Sequence, residues 1–175
     1  MANDNTPNVE LDGNTLVIRD TKFIFNTNFA GNPEADRFGS DKRRGNIIIP
    51  DPEVVAELLT RGFNVKATKP RPSDDPEAFM PDYYISATLN FDSEWPPEVY
   101  LVSGNSQPVP LDASSVGIVD KAYIKRVRVA LNLYESKKTG VKSVYIKVMY
   151  VEQDVAGDPF AHIYANRGGE GALPF

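Results

Sequence analysis

The sequence predicts an all-β barrel that carries one short α-helix. Three observations lead there. Two runs late in the chain alternate with period two, a single segment has the caps and spacing of a helix, and the strand-like runs follow one another without strand–helix–strand alternation. In the first run Val127, Val129, Leu131 and Leu133 share one face, and Arg126, Arg128, Asn132 and Tyr134 share the other. In the second, Val144, Ile146, Val148 and Tyr150 alternate with Tyr145, Lys147 and Met149. The connector from Glu135 to Gly140 holds Lys137, Lys138 and a glycine, which predicts a hairpin with a basic tip.

The other elements follow in chain order. Residues 1–13 are rich in Asn, Asp and Pro and are expected to form a mobile arm. Thr15 to Phe25 suits a long strand interrupted near Asp20. Asn26 to Arg44 is turn-rich, with Gly31, Pro33 and Gly39, and Asn46–Pro50 is a short buried strand. Asp51 then stands as N-cap, Pro52 at the first helical position and Glu53 in the first turn, with Val54, Val55, Leu58 and Leu59 as the apolar face and Gly62 at the end. A strand from Phe63, an acidic loop over Ser73–Pro81, a strand over Tyr83–Phe91 and a turn into another strand complete the order. Trp95, before two prolines, is expected to plug one end of the barrel. Six or seven strands with one intervening helix describe an OB-fold-like, five-stranded Greek-key barrel with additional hairpins, spanning 14–155 and followed by a flexible tail over 156–175.

With 175 residues, 41% of them hydrophobic and 25% charged, the chain has the make-up of one soluble domain. It holds no apolar run of the roughly 20 residues that a membrane-spanning helix needs. Cysteine is absent, which excludes disulfides, thiolate metal sites and cysteine nucleophiles. The first ten residues lack the basic and apolar regions of a signal peptide, so a cytoplasmic location is expected. The net charge is −5, yet it is unevenly spread. From Asp120 to Lys147 there are eight bases against two acids; from Ser73 to Val119 there are eight acids and no base; from Arg37 to Arg71 there are eight bases against four acids.

Two readings of the basic segments stand side by side. Lysines on the polar face of a sheet are commonly solvated and keep edges from aggregating. Alternatively, an anionic polymer lies across the hairpin, with cations meeting phosphates and Tyr134 and Tyr145 stacking on bases. The second reading gives a candidate set: Arg37, Phe38, Lys42, Arg43 and Arg44 in the glycine-flanked loop, Lys66 and Lys69 beyond the helix, and Arg126, Arg128, Tyr134, Lys137, Lys138, Lys142, Tyr145 and Lys147 on the hairpin. Phe38 belongs either to this groove or to the core. The lone His162 has no partner at metal spacing, no phosphate-binding glycine motif precedes a helix, and Asp82 and Glu135 lie too far apart in sequence to suggest a metal-dependent nuclease. No catalytic residue, metal or cofactor is expected.

The order of elements around "NIIIPDPEVVAELLTRGFNVK", "YYISATLNF", "SVGIVDKAYIKRVRVALNLY" and "SVYIKVMYV" resembles the single-stranded-DNA-binding proteins of tailed bacteriophages, over about residues 14–152. That resemblance implies an OB-fold protein that coats single-stranded DNA during replication, repair or recombination and catalyses nothing. The terminal "GALPF" is similar to the tip of bacterial single-stranded-DNA-binding proteins, which implies that Leu173, Pro174 and Phe175 recruit replication or recombination proteins. Here the tail has Arg167 beside Glu170 and no acidic run. Self-association is compatible with the family, and no membrane is implied. A phage structural or assembly barrel that docks onto protein is the rival reading.

Overall fold

The stretch from Thr15 to Asn28 determines how the sheet closes. In a computed structural model, which describes residues 6–36 and 38–154, it forms β2 (Thr15–Thr21) and β3 (Phe23–Asn28), separated by Lys22 alone. β2 pairs antiparallel with β9 (Ile124–Glu135), while β3 pairs antiparallel with β4 (Arg44–Ile48). The path between them runs β2-β9-β10-β6-β4-β3, with β10 at Lys142–Gln153 and β6 at Tyr83–Thr88. Its two ends are therefore halves of one bent strand, and the covalent chain joins the sheet to itself. Counted that way there are five strands in the Greek-key order 1-2-3-5-4, the OB-like barrel the sequence predicts. The one parallel contact inside it is Tyr145 against Thr88, between β10 and β6.

Additional strands widen this barrel. β1 (Val9–Asp12) zips onto β2 from within the segment expected to be a mobile arm, and Val9 is buried there. β5 (Val65–Ala67) adds to β6, and is far shorter than the strand expected from Phe63 onward. β7 (Glu98–Ser103) runs parallel to the second half of β10 and carries β8 (Val109–Leu111) as a hairpin partner.

The helix α1 (Pro52–Thr60) begins where the cap chemistry places it. The Asp51 carboxylate accepts from the Glu53 and Val54 amides, and Gly62, with φ of 90°, turns the chain out of the last turn. Its buried face is narrower than expected: Val55 and Leu58 are in the core, Val54 is half-buried and Leu59 is 50% exposed. Arg61 ties the helix end to the β1–β2 turn by donating to the Gly13 carbonyl at 2.6 Å.

Two further expectations change. Lys147 is a β-bulge: Ile146 pairs with Leu131 and Val148 with Ala130, so one extra residue sits in β10. The bulge shifts the alternation, so Met149 and Val151 join the core while Val148 and Tyr150 turn outward. Trp95, expected as a plug, is 84% exposed on a turn in which its amide donates to Ser93 Oγ. The largest fully buried side chain is instead Phe29, which packs 5.3 Å from the Phe23 ring and against the bare Cα of Gly45. A Cβ on Gly45 would lie 2.7 Å from Phe29 Cζ and 3.0 Å from Thr27 Cγ2. Gly45→Ala is expected to cost about 1–3 kcal/mol by overpacking, and Asp51→Ala about 1 kcal/mol by loss of the cap. Denaturant melts measure both, and an unchanged midpoint for Gly45→Ala would contradict this packing.

Candidate nucleic-acid interface

The loop between β3 and β4 is held at its base by a carboxylate. Asp120, in the 3-10 turn Val116–Lys121, accepts from Thr27 Oγ1 at 2.7 Å, from the Phe29 amide at 2.8 Å and from the Ala30 amide at 2.9 Å. Arg43 closes the other side, donating to the carbonyls of Phe29 (2.8 Å) and Ala30 (3.3 Å), with its guanidinium 5.5 Å from the centre of the Phe91 ring. Further out, Asp36 pairs with Arg44 and accepts the Phe38 amide at 2.7 Å. The second loop, the tip of the β9–β10 hairpin, is held by the Ser136 amide donating to the Val141 carbonyl and the Gly140 amide to that of Ser136. OB-type barrels bind oligonucleotides on the face of their second and third strands and with these two loops. Here those strands are β4 and β6.

Strand registers line up one row of outward side chains across the barrel: Arg44, Thr88, Tyr145, Asn132 and Thr15. Two rungs further along the hairpin, on the same face, Tyr134 stands opposite Ser143. The Tyr134 and Tyr145 rings meet edge-on with centroids 6.4 Å apart, so both face one side of the sheet. They line an open groove of about 710 Å³ with Trp95, Asn90, Asn132 and Lys147. A second hollow of about 400 Å³ continues past Asn90 and Tyr145 to Phe91, Arg43 and Lys42. The aromatic rings and the anchored loop thus belong to one continuous surface.

Of the residues singled out in the sequence, the structure brings Lys42, Arg43, Arg44, Tyr134, Tyr145 and Lys147 onto this surface. Phe38 is 83% exposed, so it is not a core residue. Lys137 and Lys138 are exposed at the hairpin tip, and Lys66, on β5 opposite Tyr84, and Lys69 are exposed as well. Lys142 points elsewhere: strand alternation sets it opposite to Ser143, where it pairs with Glu135 and lies against Gly62 at the end of α1. Arg126 pairs with Glu152 at 3.0 Å, and both it and Arg128 stand at the other end of β9. Tyr134 and Arg128 are about 20 Å apart along the strand, at about 3.3 Å per residue. Arg37, Leu173, Pro174 and Phe175 lie outside the described residues.

Sequence reasoning missed three aromatics. Trp95 was assigned to the interior. Phe25 and Tyr84 meet edge-on at 5.3 Å on the outer face beside β4 and β6, and Phe25, 63% exposed, has φ of 63°, costly for a bulky side chain. The available signal was the run "FIFN", in which Phe23 and Phe25 share a parity that would send both inward; the irregular pairing between Ile24 and Asn28 separates them.

No family model matches the sequence, and no curated protein matches it. Solved structures do match it, and two of them share its architecture over most of both chains. One is the single-stranded DNA-binding protein from bacteriophage Enc34 in complex with ssDNA, with a TM-score of 0.53 over 87% of this chain and 94% of that one. The other is a C-terminal truncation of the Enc34 protein, with a TM-score of 0.50 over 88% and 95%. Both are 13% identical to this chain. What they share is the fold. The resemblance expected from the order of elements is met at that level.

The Asp36 carboxyl is held below its ordinary value of 3.8, first by the Phe38 amide and next by Arg44. A lowered folded-state pKa means that its stabilisation of the loop is present above the ordinary value and is lost as pH falls through the lowered one. The Phe38 amide signal in NMR is therefore expected to hold its position at pH 5 and to titrate only below about pH 4. A midpoint above the ordinary carboxylate value would contradict the arrangement.

Proposed function

We propose that this protein binds single-stranded DNA without sequence preference and without catalysis, covering strands exposed during phage DNA replication, repair or recombination in the host cytoplasm. The observation that carries the reading is the groove in which Tyr134, Tyr145 and Trp95 present their rings beside Lys147. It opens between the two loops that OB-type barrels use for oligonucleotides. Bases stack on exposed rings whatever their identity, and lysines replace the counterions condensed on phosphates. The Enc34 protein, which has the same barrel, is a single-stranded DNA-binding protein, and one of its structures contains ssDNA. Lys147 in the groove, and Lys42 and Arg43 in its continuation beside Asp41 and Asp92, are the cations an anionic polymer would meet there.

Fluorescence anisotropy with labelled oligonucleotides tests this. Homopolymers of different bases are expected to bind within a small factor of one another, with duplex much weaker. Affinity is expected to fall with salt at a slope of about −0.7 per phosphate neutralised. Equal affinity for duplex, or no salt dependence, overturns the reading.

Side-chain truncations localise the site. Trp95→Ala, Tyr134→Ala and Tyr145→Ala are each expected to weaken binding by about 1–3 kcal/mol. Trp95 is so exposed that its loss should leave the melting temperature unchanged, which separates contact from folding. Unaltered affinity in all three variants moves the site away from this groove.

A further inference from the structure

The outer face of β10 does not end at the groove. Beyond Tyr145, the bulge at Lys147 turns both Lys147 and Val148 outward, and Tyr150 follows on the same side. At that point β10 has left β6 and pairs with β7, so a new registered row forms: Arg128 on β9, Tyr150 on β10 and Tyr100 on β7. The Tyr100 and Tyr150 rings stack with centroids 4.8 Å apart and planes 17° from parallel. Arg128 is exposed and forms no ion pair with another described residue, whereas Glu152 takes up Arg126 and lies 3.8 Å from Lys125.

We propose that this second strip, Arg128 with Tyr150 and Tyr100, takes the continuation of the DNA strand held in the groove. The footprint then runs along β9 and β10, from the hairpin tip to the β7–β8 extension. The inference rests on the single-stranded DNA reading above. Three observations support this occupant. The strip is continuous with the groove along one strand, Tyr145 and Tyr150 being about 17 Å apart at about 3.3 Å per residue, a few nucleotides of extended chain. Its chemistry repeats that of the groove, half-buried aromatic rings beside an exposed cation. Its charge is also arranged by strand. Arg128 stands on β9, whereas Glu98 stands on β7 opposite Val148, and Arg126 is taken up by Glu152. A backbone crossing between the two sites is steered to the β9 side, over Ala130, and away from Glu98. A cross-strand tyrosine pair stabilises a sheet by itself, but that role does not require a cation beside it.

The test compares a short oligothymidylate with a long one, of about five and about sixteen nucleotides, near the two ends of the range for one OB barrel. Arg128→Ala and Tyr150→Ala are measured on both, with thermal melts alongside. Arg128→Ala leaves the tyrosine stack intact, so it stays informative even where Tyr150→Ala destabilises the fold. The short oligonucleotide, which fills the groove alone, is expected to bind both variants as it binds the wild type. The long one is expected to bind about tenfold more weakly, the effect of losing one stacking or phosphate contact. If Arg128→Ala loses nothing on the long oligonucleotide, or loses equally on both, the second strip is overturned while the groove stands. If the wild type binds neither, both readings fall.

Discussion

Among the described residues, one parallel rung, Tyr145 against Thr88, pairs the two halves of this barrel's sheet. On one side of it lies the β2-β9-β10 ladder, and on the other the β6-β4-β3 ladder. The covalent strand through Lys22 and the Asp120 bonds to Thr27, Phe29 and Ala30 join them as well. Such an arrangement tolerates little slippage, because a one-residue shift in β10 would turn every side chain to the other face. The same rung sets the interface. It brings Arg44, from the anchored loop side, into line with Tyr145 on the hairpin, although the two are distant in sequence. Closure of the fold and assembly of the site are one constraint.

The bulge at Lys147 lies where β10 changes neighbour within the one sheet, from β6 to β7. Before it, the strand completes the barrel beside β6; after it, the strand pairs with β7, which carries β8. An extra residue on one strand bends that strand and increases its twist. Without it, Met149 and Val151 would face solvent while Val148 and Tyr150 faced the core. The bulge residue is itself a lysine lining the groove, so the backbone irregularity and the cation occur at one position.

The cations divide between ion pairs and hydrogen bonds to the backbone. Arg44 is paired with Asp36, Arg126 with Glu152 and Lys142 with Glu135. The Arg126 and Lys142 pairs stand partly in solvent, where such pairs are worth about 0–1 kcal/mol each, whereas the Asp36 carboxylate beside Arg44 is only 5% exposed and also accepts the Phe38 amide. Arg43 differs, since its hydrogen bonds go to backbone carbonyls and shape the loop. Basic residues adjacent in sequence thus divide between holding the loop and facing the solvent.

Much of the fold was legible in local pattern. The alternation of Val127 to Leu133, the Asp51-Pro52 helix start and the break in the first long strand are consequences of side-chain parity, capping and backbone sterics, which act between near neighbours. The polar parity of Arg126, Arg128, Tyr134 and Tyr145 was visible for the same reason. Three things were decided only by tertiary structure. The bulge at Lys147 arises because β10 must satisfy β9 while changing partners, and no residue type demands it there. The exposure of Trp95 follows from the path of the turn between β6 and β7, whereas its size and apolarity pointed inward. The assignment of cations to the groove or to ion pairs depends on which acids the fold brings beside them: Glu135 faces Lys142 across the hairpin, and Glu152 reaches Arg126 through the strand register. Local sequence determines which face of each strand is polar; only the pairing of strands determines what that face meets.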